Sequence, residues 1–176
     1  MADVAAELGR EYLIVSRGDS TLRGHYPLET ELLADVFRKE SGKPVDGEIL
    51  CPYFKEGGRF TLGNVHYVKY GDELVPCGQT EFAGDETFGY QNSALPAYIE
   101  EKTGGKCRAE DVTCISLERI RALDYEGIEA QLESVRDYGR IVVNAVEDCD
   151  VKVAATALYR AMAKGRNYTV RCAAAW

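Results

Sequence analysis

The feature that most constrains the fold of this chain is a repeated succession of short apolar runs and stretches with helical periodicity. A strand that helices cover on both faces is apolar throughout, and such strands alternate with helices in βα units. Runs of this kind occupy residues 12–16, 47–52, 112–116, 140–145 and 168–172. The sequence therefore predicts an α/β fold of three layers, in which a mostly parallel sheet of about five strands is flanked by helices.

The first run is followed by a polar loop and then by a clear helical pattern. We expect residues 12–16 to form a central strand, because the run is short and apolar. Pro27 suits the first turn of a helix that ends near residues 42–44. Further helices are predicted at residues 93–103, with Ser93 as the cap, at 127–138 and at 150–164. The residues predicted to share one face of the first helix are Leu28, Leu32, Leu33, Val36 and Phe37.

Residues 59–76 interrupt this rhythm with alternating residues and two tight-turn signals. The pairs Gly63-Asn64 and Gly71-Asp72 supply the positive φ angles that short hairpins require. We therefore expect a small antiparallel β-meander inserted into the α/β scaffold. A chain of 176 residues suffices for one well-packed domain and is short for two, so residues 1–176 are predicted to form a single domain.

Composition narrows the classes of function. The net charge is −8 and the acidic residues are spread along the chain, so we expect no nucleic-acid partner. No apolar run approaches the roughly 18 residues of a membrane span, and no export signal opens the sequence. We therefore expect a cytoplasmic protein with no membrane partner. The six cysteines show no C-x₂₋₄-C spacing, which predicts free thiols and no metal site.

The polar loop after the first predicted strand has the composition of a binding site. Ligands bind beyond the carboxyl ends of parallel strands, where this loop is expected to lie. Arginine donates to carboxylates or phosphates, hydroxyl and carboxylate side chains bind sugar hydroxyl groups, and glycine allows close backbone approach. These residue types also form local turns and ion pairs, so a purely structural loop is the alternative. The candidate substrate-binding residues are Ser16, Arg17, Asp19, Ser20, Thr21, Arg23 and Gly24, with Arg59 as a further cation.

The run Ser-Arg-Gly-Asp-Ser-Thr-Leu-Arg-Gly-His-Tyr-Pro-Leu-Glu at residues 16–29 closely resembles the signature of the four-carbon acid sugar kinase family. Two positions depart from the family pattern: Gly18, where serine is common, and Gly84, where a basic residue is usual. Similar segments follow in order at residues 52–61, 65–68, 80–85, 88–90, 101–104 and 142–145, so the resemblance spans nearly the whole chain.

The resemblance implies the N-terminal substrate-binding domain of an ATP-dependent kinase that phosphorylates three- or four-carbon sugar acids of the tetronate or oxo-tetronate type. It also implies a nucleotide-binding C-terminal domain outside this chain, with ATP and Mg²⁺ as cofactors of the full-length enzyme. The chain itself has no phosphate loop, so we expect it to bind neither cofactor and to be inactive alone. By position in the motif, Arg17 and Arg23 would hold the substrate carboxylate or the transferring phosphoryl group.

Other roles stay open from the sequence. The catalytic general base is not assigned, because the family's paired aspartates are expected to precede Met1. His66 is expected to be a packing histidine rather than a base. The alternatives to a kinase domain are a stand-alone sugar-acid binding or regulatory protein and an α/β scaffold without a ligand. A homodimer is also considered, because exposed strand edges and apolar surface can pair with a second copy.

Overall fold

The computed structural model describes residues 2–10 and 12–176 and contains, within these ranges, eight β-strands and six α-helices. Short 3₁₀ turns lie at Cys77–Gln79 and Ala109–Asp111. The strands are β1 (Ile14–Arg17), β2 (Gly47–Cys51), β3 (Arg59–Leu62), β4 (Val65–Tyr70), β5 (Glu73–Pro76), β6 (Thr113–Ile115), β7 (Gly139–Val143) and β8 (Tyr168–Cys172). The helices are α1 (Ala2–Glu7), α2 (Leu28–Ser41), α3 (Leu95–Lys102), α4 (Leu117–Arg121), α5 (Tyr125–Ser134) and α6 (Asp148–Ala163).

Five of the strands form one parallel sheet in the order β1-β8-β2-β7-β6. In the middle strand, Ile49 is in register with Val170 of β8 and with Ile141 of β7. The other three strands form a separate antiparallel sheet in the order β3-β4-β5. The predicted α/β fold with a small β-meander is therefore confirmed.

Two hydrophobic cores lie on opposite faces of the parallel sheet. Successive side chains of a strand point to opposite faces, so neighbouring residues of β2 join different cores. Ile49 packs with Ile128 and Leu132 of α5, whereas Leu50 packs with Tyr98 and Ile99 of α3. Helices thus cover both faces, which explains why the strands are apolar throughout.

The meander is fixed beside the carboxyl edge of the parallel sheet. Thr61 and Ala145 exchange backbone hydrogen bonds of 2.9 and 3.1 Å just beyond the end of β7. The buried Asn144 side chain accepts from the backbone N–H of Asn64 at 2.8 Å and donates to the Asn64 side chain at 2.7 Å. Asn64 adopts the positive φ that the Gly63-Asn64 turn predicts, with φ near 65°.

The prediction that the first strand is central is wrong, since β1 is an edge strand of the described sheet and pairs there with β8. Val15 accordingly has 43% of its surface exposed. The run is apolar because it packs under α2, not because it lies in the middle of the sheet. Tyr12 and Ile14 pack against a small cluster under α2 that contains Phe37.

Helix α2 begins and ends where predicted, but it buries a different face. Leu28 and Leu32 are more than 60% exposed, and Val36 is 46% exposed. Of the predicted face only Phe37 is buried, and the other residues that α2 buries are Thr30 and Ala34. Three residues of the predicted apolar face therefore form an exposed stripe, named here the α2 stripe: Leu28, Leu32 and Val36.

Further helices differ from the sequence prediction, and α5 ends at Ser134 rather than at residue 138. Helix α3 begins at Leu95, and Ser93 does not cap it, because its hydroxyl accepts from the backbone N–H of Gly78 at 2.8 Å. Helix α4 was not predicted; Ser116 caps it by accepting from the backbone N–H of Arg119 at 3.3 Å. In the part of the chain that the structure describes, no helix combines the length and apolar content needed to cross a membrane.

Candidate functional site

The loop that follows β1 leaves the carboxyl edge of the parallel sheet, where ligands bind in open α/β sheets. The backbone N–H of Gly18 donates to the carbonyl of Cys172 at 2.8 Å, which prolongs the pairing of β1 with β8 by one step. Beyond this bond the chain turns away from the sheet through residues 19–25 and enters α2. A cavity of about 430 Å³ opens at this point.

Arginine and carboxylate side chains dominate the walls of this cavity. It contains three of each, together with one aromatic ring and two glycines. The lining residues are Arg17, Arg23, Arg171, Asp19, Glu29, Asp85, Phe88, Gly18 and Gly24. Such a wall suits a small polar anion, because arginine binds the anionic group while ionised carboxylates accept from hydroxyl groups.

Asp19 and Arg23 form an ion pair inside the loop. The Arg23 Nε donates to Asp19 Oδ2 at 2.7 Å, and the hydroxyl of Thr21 donates to the same oxygen at 2.5 Å. Burial raises the pKa of Asp19, but the hydrogen bonds from Arg23 and Thr21 outweigh it, so this pKa lies below its usual value. Asp19 is therefore an ionised internal partner of Arg23, while Arg23 Nη1 points towards Asp85 Oδ2 at 3.8 Å.

Asp85 is held ready as a hydrogen-bond acceptor. The backbone N–H groups of Phe88 and Thr87 donate to its Oδ1, both at 2.9 Å, and they hold the pKa of this carboxyl below its usual range. Among the residues that the structure describes, its other oxygen has only the distant contact with Arg23. One carboxylate oxygen of Asp85 can thus accept from a ligand.

Arg171 lies at the base of the loop, and its guanidinium occupies the space beside Gly18. It is 6% exposed, forms an ion pair with Glu29 and donates to the Ser16 hydroxyl at 3.4 Å. Burial lowers its pKa from the usual value. A Cβ on Gly18 would lie 2.0 Å from the Arg171 Cζ, so only glycine fits there without movement. Glycine at position 18, where the family pattern commonly has serine, thus leaves space for the Arg171 guanidinium.

Arg17 differs from the other two arginines of the cavity. It is exposed, and its side chain has no hydrogen bond or ion pair within residues 2–10 and 12–176. Arg23 and Arg171 are each neutralised by a carboxylate of the protein. Arg17 is thus the arginine of this cavity whose charge is available to a ligand.

The meander contributes a buried histidine that contacts the backbone of the loop. His66 has no exposed surface, and its Nε2 lies 2.8 Å from the carbonyl of Ser20. A carbonyl can only accept, so Nε2 carries the proton and Nδ1 accepts from the Thr61 hydroxyl at 2.9 Å. Burial lowers the pKa of His66 to about 4, so the ring is neutral at pH 7. This agrees with a packing role and excludes a readily protonated base.

Two buried tyrosines hold the next two carbonyls of the same loop. The Tyr90 hydroxyl donates to the carbonyl of Thr21 at 2.7 Å, and the Tyr98 hydroxyl donates to that of Leu22 at 2.8 Å. Burial raises the pKa of both phenols, which therefore stay protonated and remain donors. His66, Tyr90 and Tyr98 are named here the loop clamp.

Comparison with known proteins identifies the chain at the level of the family. A family model described as "Sugar-binding N-terminal domain" matches residues 1–176. The chain belongs to this family. No curated protein shows a significant match. Among the residues of this sugar-binding N-terminal domain that the structure describes, no three His, Cys, Asp or Glu side chains are grouped so as to hold a metal, and all six cysteines are free.

Solved structures from three bacteria share the fold. A Haemophilus influenzae DUF1537 protein is 16% identical, with a TM-score of 0.64 over 98% of this chain and 38% of its own. A Salmonella typhimurium LT2 protein described as a putative tRNA synthase is 12% identical, with a TM-score of 0.67 over 97% and 36%. A Bordetella bronchiseptica DUF1537 protein, solved with bound citrate as a domain-swapped dimer, is 22% identical, with a TM-score of 0.61 over 98% and 37%.

These comparisons confirm the resemblance to the four-carbon acid sugar kinase family, for which DUF1537 is the earlier designation. The sugar-binding N-terminal domain spans less than two fifths of the length of each of the three solved chains. The remaining three fifths of those chains have no counterpart in this domain. Kinase activity therefore comes to this domain only as a proposal.

The cavity of the sugar-binding domain brings together only part of the predicted site. Arg17, Asp19, Arg23 and Gly24 line it. Ser16, Ser20, Thr21 and Arg59 do not: Ser16 donates to Glu29 at 2.9 Å, Thr21 is buried against Asp19, and Ser20 presents its carbonyl to the clamp. Arg59 lies over the Phe82 ring, 5.4 Å from its centroid, and Arg23 lies 5.2 Å from the same centroid.

Sequence reasoning missed Arg171, Glu29 and Phe88 as cavity residues. A signal existed for Arg171, because it is the one charged residue in the apolar run at residues 168–172. A charge inside a buried strand is costly unless it is paired, and such a residue is a candidate for a site. Glu29 lies inside the recognised motif, but the sequence does not show that Arg171 is its ion-pair partner.

Proposed function

We propose that this domain binds a three- or four-carbon sugar acid in the cavity beyond β1, with the carboxylate held by Arg17 and Arg23. The observation that carries the proposal is the Arg17 guanidinium, which has no partner among the described residues and lines, together with Arg23, a cavity of about 430 Å³. Small-molecule sites commonly have about 300–1,000 Å³, so the space suits a compact ligand. Guanidinium groups in the wall of one cavity offer the forked donors that a carboxylate accepts.

The hydroxyl groups of the ligand would donate hydrogen bonds to the carboxylates that line the cavity. Asp85 has one carboxylate oxygen without a close hydrogen bond from any described residue, and the lowered pKa of its carboxyl keeps it an acceptor at neutral pH. Phe88 would pack against the carbon chain of the ligand. The citrate bound by the Bordetella bronchiseptica relative supports a carboxylate ligand for this family.

The test is a calorimetric titration of threonate, erythronate and their oxo forms, with threitol and erythritol as uncharged ligands of equal chain length. The acids are expected to bind and the tetritols to bind at least tenfold more weakly, because a charge-assisted hydrogen bond contributes about 1.5–3 kcal/mol. Arg17→Gln should weaken acid binding by about tenfold. Lys39→Gln is the matched control, since Lys39 is an exposed cation near the far end of α2.

Equal binding of acids and tetritols would contradict a carboxylate site, and unchanged affinity in Arg17→Gln would contradict the assignment of Arg17. Loss of affinity in Lys39→Gln as well would indicate a general charge effect rather than a site. Because Arg17 has no partner in the described protein, its replacement is expected to leave folding stability unchanged.

We further propose that a longer protein containing this domain phosphorylates the bound acid with ATP and Mg²⁺. The resemblance of residues 16–29 supports this. ATP and Mg²⁺ are expected to bind the C-terminal domain that the resemblance implies, because the present sequence has no phosphate loop. The expected result is acid-dependent ATP consumption by the full-length gene product and none by residues 1–176. Acid binding without ATP consumption by the full-length protein would favour a binding or regulatory role.

A homodimer and a cytoplasmic location belong to the same proposal. The Bordetella bronchiseptica relative is a domain-swapped dimer, and the α2 stripe offers exposed apolar surface to a second copy. Light scattering coupled to size exclusion should show a mass of about twice 19.5 kDa for the parent chain. A monomer at all concentrations would contradict the dimer.

A further inference from the structure

The loop that carries Asp19 and Arg23 is held by an unusual arrangement of donors. Three successive carbonyls, at residues 20–22, each accept one hydrogen bond from a side chain of the loop clamp. The three donors come from separate parts of the chain: β4, the segment before α3, and α3 itself. All three are buried, with at most 5% of their surface exposed.

The orientation of these carbonyls sets the orientation of the rest of the loop. In a trans peptide the C=O and N–H groups point in opposite directions. Because the carbonyls of residues 20–22 point into the core, the N–H groups of residues 21–23 point away from it. The N–H of Leu22 closes a turn onto the carbonyl of Asp19 at 3.3 Å, and Leu22 adopts a positive φ of 68°. The clamp therefore fixes a strained backbone conformation that places the Asp19 and Arg23 side chains in the cavity wall.

We propose that His66, Tyr90 and Tyr98 are positioning residues of the acid-binding site, which act on the ligand through the loop backbone. None of the three lines the cavity. Each contributes a neutral donor whose distance to its carbonyl is 2.7–2.8 Å, and no other hydrogen bond to these three carbonyls comes from the described residues. The expected effect of the clamp on ligand affinity rests on the proposed function. The expected effect of the clamp on the loop backbone does not.

The tyrosines permit a test that removes one oxygen atom at a time. Tyr90→Phe and Tyr98→Phe delete the donor and keep the ring. Tyr168→Phe is the matched control, because the Tyr168 hydroxyl is buried yet has no hydrogen-bond partner in the described structure. Each clamp variant is expected to bind the acid about fivefold more weakly, and Tyr168→Phe to bind within twofold of the parent.

The histidine permits a rescue experiment. A glutamine amide can donate to the Ser20 carbonyl as His66 Nε2 does, whereas leucine cannot. His66→Gln is therefore expected to keep most of the affinity, and His66→Leu to lose about tenfold. Equal losses in the two variants would show that the volume of the ring, rather than its donor, matters.

Amide hydrogen exchange separates this inference from the proposed function. Residues 21–24 should exchange about tenfold faster in Tyr90→Phe and Tyr98→Phe than in Tyr168→Phe, with exchange in β7 unchanged. If the parent binds no acid, the proposed function fails, and the exchange data alone decide whether the clamp holds the loop. Unchanged loop exchange, or acid affinities equal to that of Tyr168→Phe, would overturn the inference.

Discussion

Replacing Gly18 by alanine should destabilise the protein through Arg171. The alanine Cβ would lie 2.0, 2.2 and 2.4 Å from three atoms of the Arg171 guanidinium, so one of the two must move. The guanidinium is 6% exposed and paired with Glu29, so moving it would disturb this ion pair. Overpacking of this kind costs about 1–3 kcal/mol, and we expect a loss of about 2 kcal/mol in the free energy of unfolding.

Gly84→Ala is the matched control for this change. Its Cβ would meet only the Glu81 carbonyl at 3.5 Å, an ordinary contact, so its effect should stay within about 0.5 kcal/mol. Urea denaturation measures both variants, with the slope of the unfolding free energy against urea checked for constancy.

A double-mutant cycle then assigns the effect to its cause. Arg171→Gln removes the guanidinium that Gly18→Ala would strike, so the alanine should cost less in that background. The expected coupling is about 1–2 kcal/mol, within the range found for residues in contact. Additive effects, or a Gly18→Ala loss no larger than that of Gly84→Ala, would refute the account of Gly18.

Four further substitutions test other parts of the structure. Burial lowers the pKa of His66 from 6.5 to about 4, so the unfolded chain binds the proton more readily, and the stability given by the neutral ring should fall by up to about 3 kcal/mol between pH 6.5 and 4. His66→Gln should lose this part of the pH dependence in urea titrations. Arg140→Met leaves the buried Glu48 carboxylate without its ion-pair partner at 3.2 Å and should cost about 3–5 kcal/mol in the same assay. Leu32→Gln should change the unfolding free energy by less than about 0.5 kcal/mol because Leu32 is 61% exposed, whereas Phe37→Ala should cost about 3–5 kcal/mol.

Local signals explain why the sequence predicts most of the elements. The strand β8 has the bounds that its apolar run predicts, and the meander turns lie at their glycine pairs, because neighbouring residues decide both features. The place of β1 at the sheet edge and the buried face of α2 depend on distant segments. Along α2 two apolar faces compete, and the sequence alone does not show that Thr30 rather than Leu32 is buried.

The site likewise contains residues that the sequence predicts and a residue that only the fold brings there. Arg17, Asp19 and Arg23 were visible because they lie in one continuous motif with Glu29. Arg171 enters the cavity because parallel pairing places it in register with Ser16, 155 residues away. Parallel neighbours are joined by long crossovers, so this register leaves no local trace beyond a lone charge in an apolar strand. That charge is tolerated because Glu29 neutralises it, and a side chain at position 18 would force its guanidinium to move. The glycine in the loop and the arginine in the last strand are therefore one structural feature, which the double-mutant cycle measures directly.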